Sequence, residues 1–350
     1  ESGQAVEPSV EVLSADEGGV ELLSAATTFS DLKAAIAAAP DGGTVEVGAD
    51  IELEDRITLA ANKTVTLTSE AGGTYTLSRS ATVPYLSDLF QVSGGAKLVL
   101  TDIVIDGGGA AITEVTGSLI RLGADGHLEV NDGAVLQNNI IDMTSSTGYN
   151  LRYNGAAVNA VGEGATMAFN DGCLIDGNSA PVQEGDSGHG GAVSGSHHFE
   201  GAPSIEITVN GGTFSNNAAG SGGAFCVGRN STLTVNDGEF LNNTDLNYFG
   251  GAIWSAGVLN IYGGTFDGNV GSRGGGAVSY MGDVRYGSSF TMTGGAFTNN
   301  TGGGLGLGGA INLWGTGPIN ITGGTIGSTD PADGNAGVAG GGVSIVYGKG

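Results

Sequence analysis

The stretch FLNNTDLNYFGGAIWS, Phe240 to Ser255, has near copies at 214–227 (FSNNAAGSGGAFCV), 266–279 (FDGNVGSRGGGAVS) and 297–312 (FTNNTGGGLGLGGAIN). A motif written this often is architecture before it is chemistry, because an enzyme needs one active site and a stacked scaffold needs many equal layers. Working outward, each unit from about residue 127 divides into three short strands. The first ends at an Asx-Gly, Tyr-Gly or Thr-Gly turn, the second carries the Phe, and the third is Gly-Ala followed by an apolar residue. Equivalent second-strand positions are Leu136, Ile175, Phe214, Phe240, Phe266, Phe297 and Ile326, and the shortest separation is 26 residues. That spacing suits one turn of a coil with three faces.

The pattern predicts a β-solenoid, in which each coil lies about 4.8 Å above the previous one and pairs with it edge to edge. Like residues then stack on like. Phe214, Phe240, Phe266 and Phe297 are expected to form an interior column, and Asn217, Asn243, Asn269 and Asn300 a corner column. Asparagine suits a corner because it tolerates the left-handed conformation and its amide bonds the amide above. The Gly-Gly pairs mark another corner, where positive φ or close backbone approach excludes a Cβ.

Composition agrees with a packed, turn-rich fold. Of 350 residues, 68 are Gly and only 7 are Pro, while 39% are hydrophobic, which separates the chain from collagen and from disordered sequence. The 36 acidic and 11 basic side chains give a net charge of −25, which repels nucleic acid and anionic membrane surfaces. No cofactor motif is present. Calcium is the cation an acidic surface suits best, although acidity alone builds no site. No apolar run approaches the ~20 residues of a membrane-crossing helix. Any export signal or anchor is therefore expected outside this stretch. Cys173 and Cys226 occupy different points of the repeat and read as free thiols.

Residues 1–25 are acidic and aperiodic, as expected of a leader or loosely docked arm. Residues 26–350 read as one domain. A helix over about 29–39, with Ser30 as N-cap and Leu32, Ala35, Ile36 and Ala39 on one face, stops at Pro40 and is placed to cap the solenoid. Alternation then puts Val45, Val47, Ile51, Leu53, Ile57, Leu59, Val65, Leu67, Tyr75 and Leu77 in short strands, with clear repeats over about 127–347. The final GGVSIVYGKG shows no cap, leaving that edge for further coils or another chain.

The paired motifs FSNN/GGAF, FLNN/GGAI, FDGN/GGAV and FTNN/GGAI resemble the repeats of chlamydial polymorphic outer-membrane proteins and related bacterial adhesins, over about residues 130–345. The resemblance implies a right-handed parallel β-helix of the pectin-lyase-like type and implies adhesion. It departs from that family in carrying no membrane-barrel segment.

Enzymes also use that fold, so catalytic patterns need weighing against the scaffold. Gly188-His189-Gly190 and Asn243-Thr244-Asp245 are similar to the GHG and NTD motifs of polygalacturonases. Their order is reversed here, no Asp-Asp pair or Arg-x-Lys motif completes them, and the repeat already uses Gly190 and Asn243. A lyase would need a basic residue beside calcium-binding carboxylates; Arg229, Arg273 and Arg285 are the candidates. His189, His197 and His198 with Asp186 and Glu200 lack repeated ligand spacing and read as solvated insertion residues. Asn-Asp-Gly at 131–133, 170–172 and 236–238 reads as turn chemistry.

What the repeat does not explain is the better guide to recognition. The segments between the Asn and Gly-Gly corners vary in length, and a second set, GSHHFEGAP and YMGDVRYGS, follows the third strand. Ile253 and Ile311 point inward, so Trp254 and Trp314 are expected to face outward. With Tyr248, Phe249 and Asp245 in the adjoining loop, they are the candidate ligand-binding residues. The sequence-level expectation is a secreted or cell-surface adhesin-like rod whose lateral loops bind a host or neighbouring-cell glycan or protein. A polysaccharide lyase or hydrolase of the same fold, and an inert spacer, are the alternatives.

Overall fold

A computed structural model describes residues 24–82, 88–142, 155–183, 186–195, 201–304, 308–338 and 340–347. The arm at 1–23, His197, His198 and Glu200, the Asp186 side chain and the last three residues lie outside that description. The chain forms a right-handed parallel β-helix. Three ten-stranded parallel sheets run its length, each strand pairing with the equivalent strand one coil away. The first face begins at Gly43–Val47, the second at Ile51–Leu53 and the third at Ile57–Thr58. Coils therefore start well before residue 127. In the early coils Ile51, Leu77 and Ile105 hold the position that Phe holds later, in unbroken register with Leu136, Ile175 and Phe214.

The predicted Phe column is present and fully buried. Neighbouring rings of Phe214, Phe240, Phe266 and Phe297 stack with centroids 5.3, 4.4 and 4.5 Å apart and planes within 12°. Stacking follows from the coil: identical side chains one rise apart in one rotamer can only lie face over face.

The Asn column is also present, but its two adjacent asparagines divide the work. Asn138, Asn216, Asn242 and Asn299 take the left-handed conformation at φ 54–56°, and Gly177 and Gly268 hold the same position in two other coils. The following residue turns its amide inward, so the ladder residues themselves do not have positive φ. Asn139, Asn178, Asn217, Asn243, Asn269, Asn300 and Asn335 form this ladder, longer than the repeat indicated. Each Nδ2 from Asn217 to Asn335 also donates to the carbonyl of the residue at the Phe position one coil back, as Asn243 does to Phe214 at 2.8 Å. The buried Arg79 joins the ladder by donating to Asn139 Oδ1 at 3.2 Å, and burial lowers its pKa to about 10.

Immediately after the ladder residue the chain adds a fourth, six-stranded sheet of two-residue strands, among them Ala218–Ala219 and Thr244–Asp245, which the three-strand reading omits. The N-terminal end is sealed by α1 (Phe29–Ala38), with Leu32 and Ile36 buried. Its N-cap is Thr28 rather than Ser30: Thr28 Oγ1 accepts from Asp31 N at 3.2 Å, two residues earlier than expected. Lys63 Nζ donates to the Ile36 and Ala37 carbonyls, satisfying acceptors at the other helix end.

Candidate functional site on the outer third face

Alternation should leave one side of each third-face strand to solvent, yet Val158–Ala160, Val193–Gly195, Phe225–Val227 and Ile253–Ser255 are buried at every residue. The cause is the return path of the chain. After the fourth-sheet strand, the variable loop turns back and the Gly-Gly pair lies directly on the third face. A Cβ on Gly250, which has φ 78°, would collide with the Ile253 carbonyl; one on Gly251 would collide with Gly276 O and the Val270 backbone. Only glycine permits that approach.

This covering overturns the expectation for Trp254. Its side chain leaves the solenoid interior as alternation requires, but it is only 7% exposed, packed with Cys226 and Ala256 beneath Phe249 and Met281. Asp245 is corrected in the same way. It is 1% exposed and saturated: Oδ1 accepts from the N–H groups of Asn247 (3.2 Å) and Tyr248 (2.8 Å), and Oδ2 from Ser272 N (2.9 Å) and Oγ (2.7 Å). Burial nonetheless raises its pKa, against the pull of those bonds. A carboxylate so enclosed organises its loop.

Tyr248 and Phe249 are half-buried, with ring centroids 6.5 Å apart. The Arg273 guanidinium lies 5.6 Å from the Tyr248 ring and Nη2 donates to Asn247 Oδ1 at 3.4 Å. Trp314 alone of the two tryptophans is open, at 41% exposure. It lies in register between Met281 and Val346, on strands that run to five residues (Val278–Gly282, Ile311–Gly315) where preceding coils have three. The extra residues carry the strand past the covering loop, which is why Trp314 escapes and Trp254 does not.

Beside Met281 the insertion Asp283–Gly287 forms a 3-10 turn, Val284–Tyr286, within the expected loop YMGDVRYGS. Tyr286 lies between Arg229, 4.2 Å from its ring centroid, and Arg285, 5.7 Å away. Asp283 pairs with Arg285 at 2.5 Å, and that hydrogen bond pulls its carboxyl down to about 2. Val284, 57% exposed, donates its N–H to Thr316 Oγ1 at 3.2 Å. The strip thus presents Met281 and Trp314 on the sheet, and Val284 with the two cation–aromatic stacks of Tyr286 on the 3-10 turn that follows Gly282. Strand length and the aromatic-arginine content of YMGDVRYGS were the available signals.

The apparent catalytic motifs are consumed by the scaffold. Asn243 is a ladder residue, Gly190 has φ 64°, and His189 is 7% exposed with Nδ1 3.3 Å from Cys226 Sγ and its ring 6.4 Å from Trp254. The three arginines offered for lyase chemistry stack on tyrosines. Asn131, Asn170, Asn210 and Asn236 of the first-strand turns form a second, outer amide ladder at 2.6–2.9 Å. Both cysteines are free and buried. Among the described residues no three metal-ligating side chains converge, and no helix is long and apolar enough to cross a membrane. In comparisons with known proteins, no family model, no curated protein and no solved structure matches this chain.

Proposed function

We propose that the chain is an adhesin-like binding domain of the cell surface or extracellular space, a rigid rod that recognises a surface glycan or protein through its outer third face. The observation that carries this reading is the exposure of Trp314 on an in-register strand beside Met281, with Val284 of the following insertion hydrogen-bonded to Thr316. A large aromatic held on a fixed backbone offers contact area at little conformational cost, and such residues dominate binding energies. The net charge of −25 fits a soluble domain in a salt-rich exterior. A hydrolase or lyase reading draws no support, since its candidate residues are buried, laddered or stacked.

The test is a screen of the whole chain against immobilised glycans and matrix proteins at physiological salt. Trp314→Ala should weaken any captured partner at least about tenfold, the loss of one interface anchor, without lowering the melting temperature. Binding indifferent to Trp314→Ala would refute the third-face assignment. Absence of binding across the screen would leave the rod as a spacer.

A further inference from the structure

The outer first face carries a depression that the third-face reading does not use. Lys97, His127, Glu129, Thr166, Ala168, Glu206 and Thr208 surround a volume of about 310 Å³, within the range of small-ligand sites. Its origin is one small side chain. Along that face Val99, Glu129, Ala168, Thr208 and Thr234 stand in one register column, and Ala168 is the only member without a γ-atom. The parallel column, Lys97, His127, Thr166 and Glu206, forms the adjoining wall.

The wall chemistry restricts the occupant. Lys97 Nζ is held by Glu129 at 2.5 Å, so no unpaired cation awaits an anion there. Lys97 also keeps the Glu129 carboxyl below its usual range and therefore charged. His127 Nδ1 is engaged with Thr166 Oγ1 at 2.8 Å, so Nε2 is the imidazole nitrogen not used in that bond. Glu206 is exposed on the opposite side. Metal-ligating side chains do not converge in threes among the described residues, which disfavours a cation held by chelation. What remains is a polar notch with carboxylate acceptors, hydroxyls able to give or accept, and one imidazole nitrogen, all on unyielding strands. A ligand bearing several hydroxyls satisfies such a set, whereas an acidic one meets two carboxylates in a strongly negative protein.

We infer that this notch binds one hexopyranose unit of a neutral polysaccharide, as a site separate from the third face. Glu129 and Glu206 accept from sugar hydroxyls, Thr166 and Thr208 complete the polar rim, and Ala168 supplies the space.

The experiment is titration of the full chain with cellopentaose, maltopentaose, mannopentaose and, as acidic counterpart, pentagalacturonate, followed by calorimetry and by the His127 imidazole resonances. At least one neutral pentasaccharide should bind and shift His127 while pentagalacturonate does not. Glu206→Gln should weaken that binding about tenfold or more, as expected for a hydrogen bond to a charged group. Ala168→Leu fills the notch from the solvent side, so it should abolish binding with the melting temperature preserved; Trp314→Ala should leave it unchanged. Failure of every neutral sugar to shift His127 at millimolar concentration overturns the inference. So does binding that survives Ala168→Leu, or a preference for pentagalacturonate.

Discussion

The side-chain oxygen of Asn269 accepts two hydrogen bonds from Asn243, one from its backbone N–H and one from Nδ2, both at 3.0 Å. Asn243 Oδ1 in turn accepts the same pair from Asn217 at 3.1 Å, and Asn243 Nδ2 also donates to Phe214 O. Every hydrogen-bonding position of the Asn243 amide is thereby used inside a buried corner, where an unmet polar group is costly.

Replacing Asn243 with Ala orphans two donors of Asn217 and removes one donor each from the Phe214 carbonyl and Asn269 Oδ1, and should cost about 2–4 kcal/mol in denaturant unfolding. Asn243→Asp should be worse near neutral pH, since it adds a buried charge and removes a donor. Asn242→Gly should change stability by only a few tenths of a kcal/mol, because Gly already serves that left-handed position at Gly268. Equal losses at Asn242 and Asn243 would contradict the division of labour between them.

Gly251→Ala places a Cβ against Gly276 O and the Val270 backbone, none of which can move without shifting a coil. Overpacking of that kind costs about 1–3 kcal/mol or more. The covering loop should then lift, and quenching of Trp254 fluorescence by iodide should rise toward that of an exposed indole. An unquenched Trp254 in a destabilised Gly251→Ala would disprove the role of the glycine in seating the loop.

Asp245 gives a pH dependence of defined sign. Its folded-state pKa lies above the unfolded value because burial penalises the carboxylate. The folded state therefore binds the proton more readily, and the group's contribution to stability is greatest below the unfolded pKa and declines as pH rises through the folded one. Asp245→Asn removes this titration and leaves two of the four N–H or O–H donors facing an amide NH₂, for a loss of about 1–3 kcal/mol. The wild-type advantage over Asp245→Asn should widen as pH falls from 7 toward 4. An advantage that narrows on acidification would mean that hydrogen bonding, not burial, governs the group.

Burial pushes the Cys173 thiol up to about 12 and the Cys226 thiol higher still. Neither thiolate forms appreciably at pH 8 in the folded state. A thiol reagent should therefore find nothing in the native protein and two equivalents in guanidinium. Fast native labelling of Cys226 would show that the covering loops open, and with them the His189 and Trp254 cluster.

The repeat made the coil, the Phe column and the corner asparagines legible, because in a parallel stack each position faces copies of itself. Even the split between adjacent asparagines was written in FDGN, where glycine marks the left-handed residue and the asparagine after it must be the ladder. The early coils were harder to read, since Ile51, Leu77 and Ile105 fill the column without a repeated motif. Sequence alternation also determined that Trp254 and Trp314 both leave the solenoid interior. Only the tertiary structure decided that one is covered and the other open, because coverage depends on where a non-repeating loop lies across the sheet and how far the strand extends beyond it. The first-face notch is of the same kind: Ala168 is unremarkable in its own strand, and becomes a cavity only between Glu129 and Thr208, which the coil brings beside it from 39 and 40 residues away.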